Sequence, residues 1–307
     1  MSGPIDERDS TWINDGQMGV QVRQGRTTTV GSMEVVRVLP TKGRRTIGGW
    51  CFVDLMLPPD VDNPKPMEVG PHPHIGLSTV TWLFEGEALH GDSLGTEQVI
   101  RPGQLNLMTA GHGIAHAELS SRGGVHGAQM WIAQPETTRH GPAQFEHQAS
   151  LPHLDFANGE ATLLIGSYDG TDSPARTDSP LVGMELDLRP GACELILHPH
   201  FEYGVVPIDQ AIKLDEDIVE PGWLGLIEAG PESIRIEAGH GGGRLLFLGG
   251  EPLGEKIEMW WNFVARSKEE LTDAWRAWQM HDIDRFGPVP SKLARIDGPR
   301  PSWVPDK

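Results

Sequence analysis

Only two cysteines occur in the 307-residue chain, Cys51 and Cys193, in different halves and without a spaced motif. This argues against a disulfide framework and favours a reducing cytoplasm. Basic residues are scarce: 25 Lys and Arg stand against 43 Asp and Glu, for a net charge of −18. Phosphates would be repelled, so direct binding to nucleic acid or to an anionic membrane is not expected. No apolar stretch approaches a membrane span, and no basic-then-apolar leader opens the chain. A G-x-S-x-G elbow and a Cys-x-x-Cys pair are both missing. The glycine run Gly239–Gly243 has no helix after it, so it reads as a turn rather than a phosphate loop.

What the chain does have is turn residues. Gly accounts for 38 positions and Pro for 25, above the usual shares of about 7% and about 5%. Many turns joining short strands would produce that excess. Strand-like runs recur at Met33–Leu39, Gly49–Met56, Leu77–Phe84, Glu97–Ile100, Gln104–Thr109, His116–Leu119 and Gly127–Ile132, with turns expected at Glu85–Glu87 and Gly91–Asp92. A second series covers Thr162–Tyr168, Leu181–Leu188, Ala192–Leu197, Gly204–Ile208, Trp223–Ile227, Ser233–Ala238 and Arg244–Gly249. The matched texture points to an internal duplication and an all-β chain of two barrels. The expected division is a polar arm at 1–30, a first barrel at 31–150 ending in a linker at Glu136–Ser150, a second barrel at 151–265, and a helix with an extended tail at 266–307. Ser267 and Glu270 have capping-box spacing, and Leu271, Ala274, Trp275 and Trp278 form one helical stripe that should pack on a barrel face.

Two short motifs carry the chemistry. His72-Pro73-His74 is answered by His116-Ala117-Glu118. Residues two apart on a strand share a face, so two neighbouring strands can close three imidazoles and one carboxylate around a single ion. That donor set suits a divalent first-row metal such as Fe(II), Mn(II), Ni(II), Cu(II) or Zn(II). Four protein donors leave an octahedral ion two open positions, as a catalyst needs. His198-Pro199-His200 echoes the first pair but has no H-x-E partner, so the second barrel lacks a full metal site and these histidines are expected on the surface or in a polar pocket. His126 is a candidate for contact with substrate or ligand. Trp82, Met108, Gln129 and Trp131 are candidates to line a pocket for a flat ligand.

The stretches PHPHIGLSTVTWLFEGEALHGDSLG and RPGQLNLMTAGHGIAHAE resemble the pirin family of bicupins. RVLPTKGRRTIGGWCFVDLMLP, HGAQMWIAQP and GGEPLGEKIEMWWNFVARSKEEL agree with it. The resemblance implies two tandem cupin barrels of jelly-roll type, with one metal, usually iron, in the first. Its ligand positions fall on His72, His74, His116 and Glu118. It also implies O2-dependent cleavage of quercetin-like flavonols, or an alternative role as a metal- or redox-sensing protein that binds a protein partner. The expected substrate is a small aromatic or enolic compound used with O2. Glu118 would either ligate the metal or swing off to take the substrate's hydroxyl proton. Ile75, Leu77 and Ser78 replace the Arg, Phe and Glu that the family usually carries, which should alter charge and hydrogen bonding around the site.

Overall fold

The computed structural model describes residues 19–31, 33–60, 62 and 64–305, with the backbone alone at 121 and 122. A nine-stranded antiparallel sheet forms the first module. Its path runs Gln144–Gln148, Leu105–Thr109, Leu77–Asp92, Ile114–Ala133, Trp50–Met56, Met33–Leu39 and Arg26–Val30. Glu68–His74 pairs onto Ile114–Ala133, and Glu97–Ile100 onto Leu77–Asp92. An eight-stranded sheet and a four-stranded sheet make up the second module, with paths from Gln21–Gln24 to His153–Phe156 and from Gly191–Ile196 to Asp217–Val219. The two modules pack face to face. Trp50, Val80, Trp82, Leu105 and Met130 from the first share one buried cluster with Leu164, Ile165, Leu181, Leu224 and Leu246 from the second. At its centre the Trp50 indole N–H lies 3.2 Å from both the Val182 and Gly249 carbonyl oxygens. A Cβ on Gly183 would meet that ring at 2.7 Å, so only glycine admits it.

Several expected boundaries differ. Glu85–Glu87 and Gly91–Asp92 do not reverse the chain, because Leu77–Asp92 is one 16-residue strand. Its register against Ile114–Ala133 shifts at Leu83/Glu85 and Gly86/Ala88. Gly86, at φ 85°, absorbs the irregularity, so a glycine that reads as a turn in sequence bends the sheet instead. His116–Leu119 and Gly127–Ile132 are likewise parts of one 20-residue strand. The polar segment Glu136–Ser150, expected as a linker, contains the strand Gln144–Gln148, whose Phe145 packs against Met108, Ala110 and Ile114. Within the expected arm, Gln21–Gln24 pairs with the second module at Trp223–Ile227, and Arg26–Val30 with the first. Gly25 is the crossover point, and its N–H bonds Gly222 O at 3.2 Å. Residues 1–18 of the arm lie outside the described residues.

The helix forms at Lys268–Gln279 with Ser267 as N-cap, the Ser267 hydroxyl accepting from Glu270 N. Glu270 does not complete the reciprocal cap. Its carboxylate accepts from Arg266 N and Arg139 instead. Leu271, Ala274 and Trp278 are buried with Phe263 and Phe286. The tail beyond the helix packs on its own chain: Ile296 N bonds Pro71 O at 2.9 Å. It thereby covers the open edge of Glu68–His74. No helix among the described residues is long and apolar enough to cross a membrane.

Candidate metal centre

His72 and His74 alternate on the strand Glu68–His74 and so face one way. That strand lies on the sheet edge, where Pro71 and Pro73 remove no ladder hydrogen bond. In register, His72 stands opposite His116. On the other flank of Ile114–Ala133, Asp92 stands opposite His116 and His90 opposite Glu118. His116 is therefore the middle of three strands' worth of titratable groups.

The three imidazoles converge. His116 Nε2 lies 2.9 Å from His72 Nε2 and 3.1 Å from His74 Nε2, and all three residues are buried. Metal–imidazole bonds of about 2.1 Å at right angles would place their nitrogens about 3.0 Å apart. The outer nitrogens fix the tautomers. His72 Nδ1 faces Gly70 O at 2.9 Å, and His74 Nδ1 faces Asn262 O at 3.1 Å. A carbonyl only accepts, so each Nδ1 carries the proton. With a proton on Nε2, His90 donates to Asp92 Oδ2 at 3.1 Å, and its Nδ1 is left to accept from His116 Nδ1 at 3.3 Å. Three bare Nε2 lone pairs then point at one another. No hydrogen bond can join them, whereas a cation can. The donor set fits a metal.

Electrostatics agree. Burial pushes the His72 imidazole down to about 4, while His74 and His116 sit well below their ordinary value, through burial first and the neighbouring imidazoles second. All three imidazoles are therefore neutral at physiological pH, the state that metal binding requires. Burial pushes Asp92 up, but the hydrogen bonds from His90 and Thr96 N outweigh it, and the carboxyl ends below its usual range. Replacing His90 with Phe is expected to weaken metal affinity about 10–100-fold, the scale set by loss of a ligand-orienting partner. Competition with a chromophoric chelator measures this; unchanged affinity would show that His90 does not set the His116 tautomer.

Glu118 lines the same cavity but stands apart from the three-histidine cluster. Its carboxylate groups with His90 and His116, and Oε1 lies 3.5 Å from Thr81 Oγ1. Burial raises its pKa. The cavity beside the imidazoles measures about 60 Å³. Its walls include Met33, Met56 and Met67 and the stacked pair Phe52–Trp131, whose centroids are 4.0 Å apart.

Of the pocket residues expected from the sequence, Gln129 and Trp131 line this cavity. Trp82 and Met108 do not: Trp82 donates to Glu185 across the module interface, and Met108 packs under Phe145. His126 also lies elsewhere, edge-on to Phe84. His198 and His200 are exposed in the second module. Ile75 packs with Phe263, and Ser78 bonds Thr109, so neither faces the cavity. The residue missed was His90. Its signal was His90-Gly91-Asp92, the same two-residue alternation that marked the ligands.

Two tandem antiparallel β-modules with a histidine cluster inside the first define a bicupin. The chain belongs to the pirin family: the Pirin model matches residues 32–132, and the pirin C-terminal cupin domain matches 183–284. A Pseudomonas aeruginosa protein provisionally named quercetin 2,3-dioxygenase is 43% identical over 90% of this chain and 86% of its own. A pirin-like protein of Caulobacter vibrioides is 35% identical over 88% of this chain and 98% of its own. The crystal structure of quercetin 2,3-dioxygenase from Acinetobacter baumannii has a TM-score of 0.88 at 39% identity, covering 94% of this chain and 97% of that one.

Proposed function

We propose that this chain is a cytoplasmic metal-dependent dioxygenase that holds one divalent cation, Fe(II) foremost, on His72, His74, His116 and Glu118. Its substrates on this reading are a flavonol-like or enolic hydroxyketone and O2. The observation that carries it is the triangle of three buried imidazole nitrogens whose protons are committed elsewhere. The names of the relatives add support for the reaction class.

When bound, the metal would supply Lewis-acidic and redox chemistry toward O2 and the oxygens of a chelating substrate. The chain's own residues do the rest. Buried His72, His74 and His116 stay neutral, so the cation's charge is offset by one carboxylate and by an acidic substrate oxygen. On this reading Glu118 either ligates the cation, which makes it a weak base, or swings off toward Thr81 Oγ1, 3.5 Å away, and takes the substrate's hydroxyl proton. Methionine side chains are unbranched and deformable, so the Met33, Met56 and Met67 wall can yield to a flat ring against Phe52–Trp131.

Oxygen uptake with quercetin tests the reading. Exhaustive chelation is expected to abolish it and Fe(II) to restore it. Uptake that survives thorough metal removal contradicts the proposal. A metal-replete chain that consumes no O2 with any flavonol would instead favour the metal-sensing role.

A further inference from the structure

Asn262 occupies the two-residue turn between the strands Glu258–Trp260 and Phe263–Ala265, far outside the first module in sequence. The preceding Trp261 has φ 55°, a left-handed conformation that a bulky aromatic residue adopts only when its surroundings impose it. Trp261 is 1% exposed and packed with Ile75, Phe263 and Leu271. This turn delivers Asn262 to the cavity of the first module, where its carbonyl accepts from His74 Nδ1 at 3.1 Å. Asn262 lines that cavity and is 1% exposed, yet its side-chain Nδ2 has no hydrogen-bond partner among the described residues. Buried amide donors are nearly always paired, because an unpaired one has given up its bonds to water for nothing. Gln129 Nε2, on the same cavity, is a second such donor, while Gln129 Oε1 accepts from Thr81 at 3.1 Å.

The surrounding charges narrow what these donors can serve. Asp54 lines the cavity with both oxygens taken by Arg37, at 2.7 Å each. No Lys or Arg lines the cavity among the described residues. Neutral N–H groups beside buried Glu118 and Asp54 suit one carbonyl or enolate oxygen. They do not suit a dicarboxylate or a phosphate, whose second negative charge would exceed what a divalent cation already offset by Glu118 can balance.

We propose that Asn262 is a substrate-orienting residue: its Nδ2–H donates to a carbonyl or enolate oxygen of the ligand held in the first module's cavity, so a hairpin that follows both sheets of the second module in sequence completes the substrate site. This rests on the metal-centred reading above and adds the ligand class, a hydroxyketone or enol with a single outward-facing acceptor oxygen. The test uses the full chain loaded with Ni(II), with maltol, a small 3-hydroxy-4-pyranone, as probe. Imidazole, which binds metals but offers no acceptor oxygen, is the control. Metal content is measured alongside each affinity for wild type, Asn262→Ala and Asn262→Asp. Both variants are expected to keep the wild-type metal content and an unchanged imidazole Kd. The maltol Kd should rise about 10-fold in N262A, the value of one hydrogen bond, and about 100-fold in N262D, where an acceptor replaces the donor. An unchanged maltol Kd in the variants, or equal weakening of imidazole, overturns the assignment; so does loss of metal in both variants, which would make Asn262 a support for His74. Should N262A fail to fold, the isosteric N262D decides alone. A wild type that binds metal but not maltol refutes only this inference, whereas one that binds no metal refutes the metal-centred reading as well.

Discussion

Replacing His116 with Ala is expected to abolish stoichiometric metal binding and, with it, flavonol-dependent O2 uptake. His116 is the one imidazole within about hydrogen-bond distance of both other histidines of the cluster, at 2.9 and 3.1 Å. Its loss removes a donor outright, so the drop in metal affinity should exceed the roughly 10–100-fold that accompanies loss of a partner merely orienting a ligand. Metal analysis after gel filtration in metal-free buffer measures this directly. Circular dichroism of the metal-free wild type and variant should show the same β-rich fold, since none of the three histidines belongs to the core shared between the modules. Retention of one tightly held ion by the variant would mean that the cation sits elsewhere.

The largest expected effect on stability comes from Trp50→Ala. Trp50 is fully buried at the contact between the modules, and its indole N–H meets two carbonyl oxygens of the opposite sheet. Truncating a buried aromatic to Ala costs about 3–5 kcal/mol in transfer and cavity terms. The gap here cannot collapse easily, because it is bounded by sheet backbone at Gly183 and Gly249 rather than by mobile side chains. At about 2–4 °C per kcal/mol for a chain of this size or somewhat smaller, the midpoint of thermal unfolding should fall by roughly 10 °C. Chemical denaturation should show both modules losing stability together. A loss under about 1 kcal/mol, or destabilisation confined to one module, would contradict a core shared across the interface.

How much of this was legible in the sequence follows from the range of each interaction. The two-residue repeats His72-Pro73-His74 and His116-Ala117-Glu118 could be read because a strand's period is local, and the structure brings the three imidazoles together. The helix at Lys268–Gln279 was equally plain, since its cap and stripe lie within one segment. The bulge at Gly86 was not, because the same glycine signal serves a reversal or a bend and only the partner strand decides between them. The crossing of Gln21–Gln24 to the second module was hidden because pairing with Trp223–Ile227 spans nearly the whole chain. Asn262, which anchors His74 from 188 positions away, carries no local mark at all. His90 could have been found: it repeats the ligand alternation with Asp92, but its role as the partner of His116 emerges only once the strands are in register.

Anomalous scattering from crystals grown with Fe(II) is the most direct test of the centre itself. One strong peak is expected at about 2.1 Å from the Nε2 atoms of His72, His74 and His116 together. A metal-replete crystal with its peak elsewhere, or with any of these three nitrogens turned away from it, would contradict the account.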